Sequence, residues 1–205
     1  MTRTTTRGFL QLFAVCSAII ALSAPSQAGI LSGHGAAYGG VTGTVPFDNG
    51  IGLSGTIDYA VFTASDFNAN FGGLGYVPGD ALVYTYQVEV SGILGVSAEL
   101  IGVNNPANTI GTFNIGDQDA QTASFTPNAR WLFSPEISTG MTSWGLAFSS
   151  PNLPITGASL TIDGGTQALN VGVPTPGPVA IPEPASLLLL AASLAATCLS
   201  RRSYA

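Results

Sequence analysis

Large apolar and polar side chains alternate residue by residue in the middle of the chain. In Leu82–Ser91 the large apolar side chains occupy the even positions and mostly polar ones the odd positions. This pattern is typical of an antiparallel strand with one buried face and one wet face. No stretch longer than a few residues repeats the 3.6-residue period of a helix, and Gly, Pro, Asn, Ser and Thr interrupt the chain throughout. The sequence therefore predicts an all-β fold.

Further short strands are predicted wherever similar segments lie between turn residues. They are Thr56–Thr63, Val96–Val103, Thr109–Ile115, Thr122–Thr126, Arg130–Ser134, Ser143–Ser149, Ala158–Asp163 and Gln167–Val171. Asp48-Asn49-Gly50 and Asp163-Gly164-Gly165 are tight-turn signals, and the second predicts a hairpin. Strands of this length and spacing indicate a single antiparallel β-sandwich or jelly-roll-like domain. The absence of a fixed-period repeat disfavours a solenoid or propeller.

The first 28 residues have the composition of a removable signal peptide. Arg3 and Arg7 form a positive start, Phe9–Leu22 is the apolar run, and Ser26-Gln27-Ala28 is a small-x-small cleavage site. We therefore predict that signal peptidase cuts between Ala28 and Gly29. An uncleaved anchor is disfavoured because the apolar run is shorter than the roughly 20 residues that a span needs.

Basic residues are nearly confined to the two ends of the chain. Lysine is absent, and Arg130 is the one basic residue between positions 29 and 180, against ten acidic residues. A nucleic-acid binder is excluded because phosphate neutralisation needs clustered Lys and Arg. By the positive-inside rule, arginines beside both apolar segments hold the two ends in the cytoplasm, so the middle is predicted to lie outside.

The C-terminal segment has three elements in a fixed order: Pro182-Glu183-Pro184, the uncharged run Ala185–Ser200, and Arg201-Arg202. Sixteen helical residues span about 24 Å, which is short of a ~30 Å hydrocarbon core, so the run crosses a bilayer only if the bilayer thins or the arginines snorkel. This order of elements resembles the PEP-CTERM protein-sorting signal of Gram-negative bacteria. A plain C-terminal anchor is the alternative.

The resemblance implies a processing partner. In that family an exosortase, a membrane-embedded cysteine transpeptidase, is thought to recognise the Pro-Glu-Pro motif and remove the helix, in systems that accompany exopolysaccharide and biofilm production. Carried over by position, Pro182, Glu183 and Pro184 are the recognition residues, and Arg201 and Arg202 are the stop. The two prolines would keep the backbone beside the membrane extended and open to such an enzyme.

These features divide the chain into four parts: a signal peptide (1–28), an exported β-domain (29–172), a Pro/Gly-rich linker (173–180) and the sorting segment (181–205). The exported domain has no cysteine, because Cys16 and Cys198 lie outside it. It must therefore be held by packing, and ten aromatic residues are its expected core or core rim. They are Tyr59, Phe62, Tyr84, Tyr86, Phe113, Phe125, Trp131, Phe133, Trp144 and Phe148.

No motif in the exported domain predicts catalysis, a metal site or a cofactor. His34, the one histidine, is expected in a mobile or first-strand position, and there is no Gly-x-Ser-x-Gly elbow. Paired carboxylates leave glycoside cleavage open. An aromatic platform for sugars can be drawn from Tyr76, Trp131 and Trp144, although the two tryptophans have core patterns. The segment Asn114–Asp119 is predicted to be a solvated turn rather than a calcium loop.

The sequence thus favours an exported, non-enzymatic surface or matrix protein. Its predicted route is an inner-membrane intermediate held by residues 185–200, followed by processing and release to the cell surface or the exterior. A structural or adhesive role linked to exopolysaccharide or biofilm fits this route. The alternative is a secreted carbohydrate-binding module or polysaccharide-active enzyme that uses the same sorting signal.

Overall fold

The computed structural model describes residues 29–125 and 127–178, which fold mainly into β-strands. The predicted signal peptide and the sorting segment lie outside these residues. A short 3₁₀ turn (Tyr38–Gly40) precedes the strands, and one α-helix follows the second strand. The elements are β1 (Thr42–Asp48), β2 (Ser54–Thr63), α1 (Ala64–Phe71), β3 (Leu82–Val90), β4 (Val96–Ile101), β5 (Asn108–Phe113), β6 (Thr122–Phe125), β7 (Ala129–Ile137), β8 (Gly145–Ser150), β9 (Pro154–Ile162) and β10 (Gln167–Pro176).

The strands form two antiparallel sheets of five strands each. The first sheet has the order β1-β2-β3-β8-β5, and the second has the order β10-β9-β4-β7-β6. One apolar core contains residues of both sheets, so the sheets pack face to face. Its members include Ile57, Val61, Tyr84, Tyr86, Val88, Leu146 and Phe148 from the first sheet and Val96, Ile101, Ala129, Trp131, Phe133, Ile137 and Val173 from the second.

Aromatic rings fill the middle of this core. Tyr84 stacks on Phe148 with ring centroids 5.2 Å apart, and Trp131 reaches across from the second sheet to within 6.4 Å of both Tyr86 and Phe148. The even positions of β3 all point into the core, as the alternation of the sequence predicts. Packing of this kind replaces the disulfides that small exported domains often use.

Nine predicted strands are confirmed, each overlapping one of β2 to β10. The Asp163-Gly164-Gly165 hairpin is confirmed by the pairing of Ile162 with Gln167. The turn at Asp48-Asn49-Gly50 joins β1 to β2, and Gly50 has a φ of 73° there. Strand β1 was not predicted, because Gly43 and Pro46 interrupt its apolar positions. It lies at the edge of the first sheet, where a proline costs no ladder hydrogen bond on its open side.

The expectation that no helix would form is wrong for Ala64–Phe71. Thr63 caps this helix: its Oγ1 accepts a hydrogen bond from the amide of Asp66 at 3.1 Å and donates one to the Asp66 carboxylate at 2.6 Å. Phe67 and Phe71 are four residues apart, so both point to the same side and are buried. Two buried apolar side chains in eight residues are too few to show the 3.6-residue repeat of a helix in the sequence.

The predicted linker boundary also needs correction, because β10 continues through Val173–Pro176. A bulge between Val171 and Val173 lies at Gly172, whose φ is 112°, and the strand then pairs with β9 as far as Pro154. The prolines are tolerated because β10 is an edge strand. Among the described residues, no helix has the length and hydropathy of a membrane span.

A second apolar cluster covers part of the outer face of the first sheet. Phe67 and Phe71 of α1 pack there on Phe62 and Phe113 of the sheet, with ring centroids 5.1–6.3 Å apart. Leu31 is fully buried in the same cluster. The N-terminal segment 29–41 is therefore fastened to the outer face of the sheet rather than left free.

Candidate functional site

A cleft of about 210 Å³ lies on the outer face of the first sheet, beside the second apolar cluster. Asp58 of β2 pairs with Gln87 of β3, and Glu89 lies two residues further along β3, so these three side chains share one face. The rest of the lining comes from the N-terminal segment and from two loops. The complete lining is Gly29, Ile30, Asp58, Gln87, Glu89, Ile115 and Thr142.

Asp58 is the most enclosed acid of the cleft, with 6% of its surface exposed. Burial raises the pKa of its carboxyl group above the usual value, while hydrogen bonds from Thr44, the backbone amide of Gly29 and Ser32 act in the opposite direction. The Thr44 hydroxyl donates to Asp58 Oδ1 at 2.6 Å. Asp58 Oδ2 occupies the space where residue 29 would place a Cβ atom. Both oxygens are therefore engaged within the chain.

The other two polar groups of the cleft have different surroundings. Gln87 is buried, and its Nε2 donates to the carbonyl oxygens of Ser143 at 3.0 Å and Ile115 at 3.3 Å, which fixes the loops that form the wall. Glu89 is exposed and accepts a long hydrogen bond of 3.5 Å from Thr56. No basic side chain belongs to the lining. The cleft is therefore negative and has no cation from a side chain.

The cleft brings together Asp58 and Glu89, two of the ten acidic residues between positions 29 and 180. The sequence alone did not indicate that these two would be neighbours. A buried carboxyl group beside an exposed one is the combination that acid–base chemistry on a glycosidic bond uses. Here, however, the Asp58 carboxylate contacts Thr44 and Gly29 and does not face the open part of the cleft. The geometry fits the binding of a cation or hydrogen-bond donor better than proton transfer to a sugar.

His34 lies before the first strand and is half-buried, so neither the mobile nor the first-strand expectation describes it. Its ring contacts Phe62 edge-on at 5.1 Å and Phe71 at 5.5 Å. Its Nδ1 accepts a hydrogen bond of 3.3 Å from the amide of Ala36. The histidine thus helps to hold the N-terminal segment on the second apolar cluster.

The residues of the sugar platform that the sequence allowed do not share a surface. Trp131 is fully buried in the main core and donates its indole N–H to the carbonyl of Gly111 at 2.9 Å. Tyr76 is 5% exposed, in the second cluster, with its hydroxyl bonded to Thr109 at 2.9 Å. Trp144 is half-buried just before β8 and belongs to neither apolar cluster, so its predicted core position is wrong.

The acids of the segment Asn114–Asp119 are used in local hydrogen bonds. The Asp117 carboxylate accepts from the amide of Thr142 at 2.9 Å and from its hydroxyl at 3.1 Å, and Asp119 accepts from Thr112 at 2.7 Å. Within residues 29–125 and 127–178, no three His, Cys, Asp or Glu side chains are grouped so that they could hold a metal ion.

The polar residue that sequence reasoning missed is Glu99, which is fully buried between the sheets. Its Oε2 accepts a hydrogen bond of 2.7 Å from Thr161, and its Oε1 has no partner among the described residues. Asn170 completes a buried polar group by donating to Ser159 at 3.2 Å and Thr161 at 3.3 Å. Burial raises the pKa of Glu99 to about 8, so the carboxyl group is mostly protonated at neutral pH.

The predicted sorting residues Pro182, Glu183, Pro184, Arg201 and Arg202 lie outside the described residues, as does Ala28 of the predicted cleavage site. Gly29 is described and lines the cleft. Residues 180–202 match the PEP-CTERM protein-sorting motif, which confirms the resemblance stated above. Comparison with curated proteins and comparison with solved structures both give no match.

Proposed function

Because the chain carries a PEP-CTERM sorting motif at residues 180–202, we propose that it is a surface or extracellular-matrix protein delivered by an exosortase. Signal peptidase removes residues 1–28 during export, residues 185–200 hold the chain in the inner membrane, and an exosortase then acts near Pro182-Glu183-Pro184. The motif match is the observation that carries this proposal. It supports exosortase-dependent sorting and membrane association of the chain.

The two prolines of the motif affect access to the backbone beside the apolar run. A proline lacks the amide N–H that a helix uses and disfavours helical geometry at the residue before it, so a sequence with Pro182 and Pro184 is unfavourable for continuing a helix through the motif. The apolar run of sixteen residues is short for a bilayer. A short anchor with an open segment beside it suits a temporary hold that ends when the chain is processed.

We propose a structural or adhesive, non-enzymatic role for the exported domain, linked to exopolysaccharide or biofilm. Three features support this role. Asp58 is engaged by Thr44 and Gly29, the tryptophan of the main core is unavailable to sugars, and the domain has no cysteine nucleophile. Leu169 and Val171 lie two residues apart on β10 and are 73% and 72% exposed, so the second sheet has exposed apolar side chains with which another molecule could associate.

The test replaces the motif in the native chain. Pro182→Ala with Pro184→Ala, or Glu183→Ala alone, should leave export intact and block processing, because the helix can then extend by about one turn over the backbone that the enzyme must grip. Pro178→Ala, outside the motif, is the matched control and should be processed normally. Membrane fractionation, blotting and intact mass distinguish the forms. Normal release of the double proline variant would refute exosortase processing at this motif.

The cleft favours one alternative function, a secreted carbohydrate-binding module or polysaccharide-active enzyme. Its two acids, Asp58 and Glu89, have different burial on one sheet face, which is the starting arrangement for carboxylate catalysis. Glycan-array binding and reducing-sugar release by the exported form decide between the roles. Activity that disappears in Glu89→Gln would establish the alternative, whereas no binding and no release would support the structural role.

A further inference from the structure

The N-terminal segment is held in a fixed position by contacts at Gly29, Leu31 and Gly33. Leu31 is fully buried in the second apolar cluster, and its carbonyl oxygen accepts a hydrogen bond of 2.6 Å from Thr42 Oγ1. The same hydroxyl oxygen accepts from the amide of Gly33 at 3.0 Å. Ser32 Oγ also donates to the carbonyl oxygen of Gly29 at 3.3 Å. These contacts keep the backbone nitrogen of Gly29 in the cleft.

Gly29 is pressed against the carboxylate of Asp58. Asp58 Oδ2 lies where any side chain at position 29 would have to begin, so an alanine there would force the two apart. The other oxygen, Oδ1, is already bonded to Thr44. The backbone amide of Gly29 is one of the donors that act on the carboxyl group. A nitrogen therefore faces Asp58 at the residue where the signal peptide is predicted to end.

The cleft has negative groups and no positive partner for them. Asp58 is almost completely buried, and Glu89 lines the same cleft. No Arg or His side chain belongs to the lining. A buried carboxylate without a cation is costly, because desolvation is not offset by an opposite charge. The missing charge can come from the main chain itself.

We propose that Asp58 is a binding site for the α-ammonium group of Gly29, which forms when residues 1–28 are removed. Hydrolysis of the Ala28–Gly29 bond consumes one water. The Ala28 carboxylate leaves with the signal peptide, and the amide nitrogen of Gly29 becomes an amine that takes up a proton at neutral pH. The neutral donor in the cleft is then replaced by a cation, which forms a charge-assisted hydrogen bond with Asp58. This inference rests on the processing step of the proposed function.

The consequence is that cleavage stabilises the exported domain. In the precursor the nitrogen at position 29 is an ordinary amide without charge. In the processed chain the ion pair fastens the N-terminal segment, and with it His34 and Leu31, to the first sheet. The site is specific for glycine, because Asp58 leaves no room for a side chain on the residue that carries the ammonium.

Selective labelling of the amine tests the ion pair, because the chain has no lysine and the Gly29 amine is its one primary amine. The chain from Gly29 to Ala205, released from a fusion partner with Gly29 first and kept in mild detergent, is treated with an acylating reagent at pH 7 and followed by intact mass. We expect labelling at least tenfold slower in the native chain than in urea. Asp58→Asn should remove most of this protection, and Glu136→Gln, the matched control at an exposed acid on β7 of the second sheet, should keep it.

A second variant guards against failure of Asp58→Asn to fold. One alanine placed before Gly29 leaves Asp58 intact but moves the amine out of the cleft. We expect this extension to raise the unfolding equilibrium constant roughly tenfold and to lower Tm by about 3–6 °C. Equal labelling rates in the native and unfolded chains would overturn the proposal, as would an extended chain as stable as the original.

The native N-terminus separates this inference from the sorting proposal. N-terminal sequencing of the exported form should give Gly29-Ile30-Leu31. A different first residue would overturn the ion pair for the native protein, even if the engineered chain passed the labelling test. Failure of exosortase processing, in contrast, is seen at the C-terminus and leaves the Gly29 measurement unaffected.

Discussion

Replacement of Glu99 by glutamine should stabilise the domain, and the gain should depend on pH. Glu99 is fully buried, and its pKa is raised from 4.5 to about 8 by burial. Between pH 4.5 and about 8, the folded state therefore keeps a proton on Glu99 that the unfolded chain has released. Because the unfolded state binds fewer protons in this window, the free energy of unfolding falls as pH rises from 4.5 to 8. Glutamine is neutral at every pH and has nearly the same shape.

The magnitude follows from the size of the shift. Each unit of pKa corresponds to about 1.4 kcal/mol, so the carboxyl group costs roughly 3 kcal/mol of stability at pH 7 and almost nothing at pH 4. We expect Glu99→Gln to match the wild type at pH 4 and to exceed it by about 3 kcal/mol at pH 7. Its amide oxygen can still accept the hydrogen bond from Thr161.

Urea unfolding followed by tryptophan fluorescence measures this difference at pH 4, 7 and 9. Glu136→Gln is the matched control, because Glu136 is exposed on β7 and should leave the pH dependence unchanged. Comparing variants removes the contribution of Asp58, whose raised pKa acts in the same direction. If Glu99→Gln and the wild type differed by the same amount at all three pH values, the reasoning about the buried proton would be refuted.

Three further outcomes can be measured on the same chain. Thr63→Ala removes the cap of α1 and should cost about 1 kcal/mol in urea unfolding; an unchanged midpoint would contradict the role of the cap. Tyr86→Phe deprives the carbonyl oxygen of Pro174 of its buried donor and should cost about 1–3 kcal/mol, whereas Tyr59→Phe, at a half-buried tyrosine, should cost less. Intact mass of the surface form should show loss of residues 1–28 and of the segment beyond about Pro184; retention of Ser203-Tyr204-Ala205 would favour a permanent anchor.

The strands could be predicted because apolar and polar residues alternate along a strand wherever its sheet has one buried face. Strand β3 shows this most clearly, since its even positions all enter the core. Helix α1 could not be predicted from its pattern, because its burial depends on Phe62 and Phe113 of the first sheet rather than on its own sequence. The sorting motif is a linear signal, so no tertiary structure was needed to find it.

The burial of Glu99 shows what local reasoning misses. Val96 points into the core, and strict alternation would place Glu99 on the opposite, wet face. A bulge between Val96 and Ala98 shifts the register by one residue, so Glu99 and Ile101 enter the core instead. The cleft is missed for a similar reason, because Asp58 and Glu89 become neighbours only through the pairing of β2 with β3.

Strand β10 has a mechanical consequence for a chain that is held by its C-terminus. It is the last strand of the described residues, it lies at the edge of the second sheet, and the amide of Gly177 just beyond it donates to the carbonyl of Leu153 at 2.8 Å. Tension applied to the chain beyond Gly177 would therefore enter the domain through this one strand. The load would first act on the hydrogen bond between Gly177 and Leu153 and then on the pairing of β10 with β9, starting from Pro176, so this hairpin sets how much tension the domain bears before the sandwich opens.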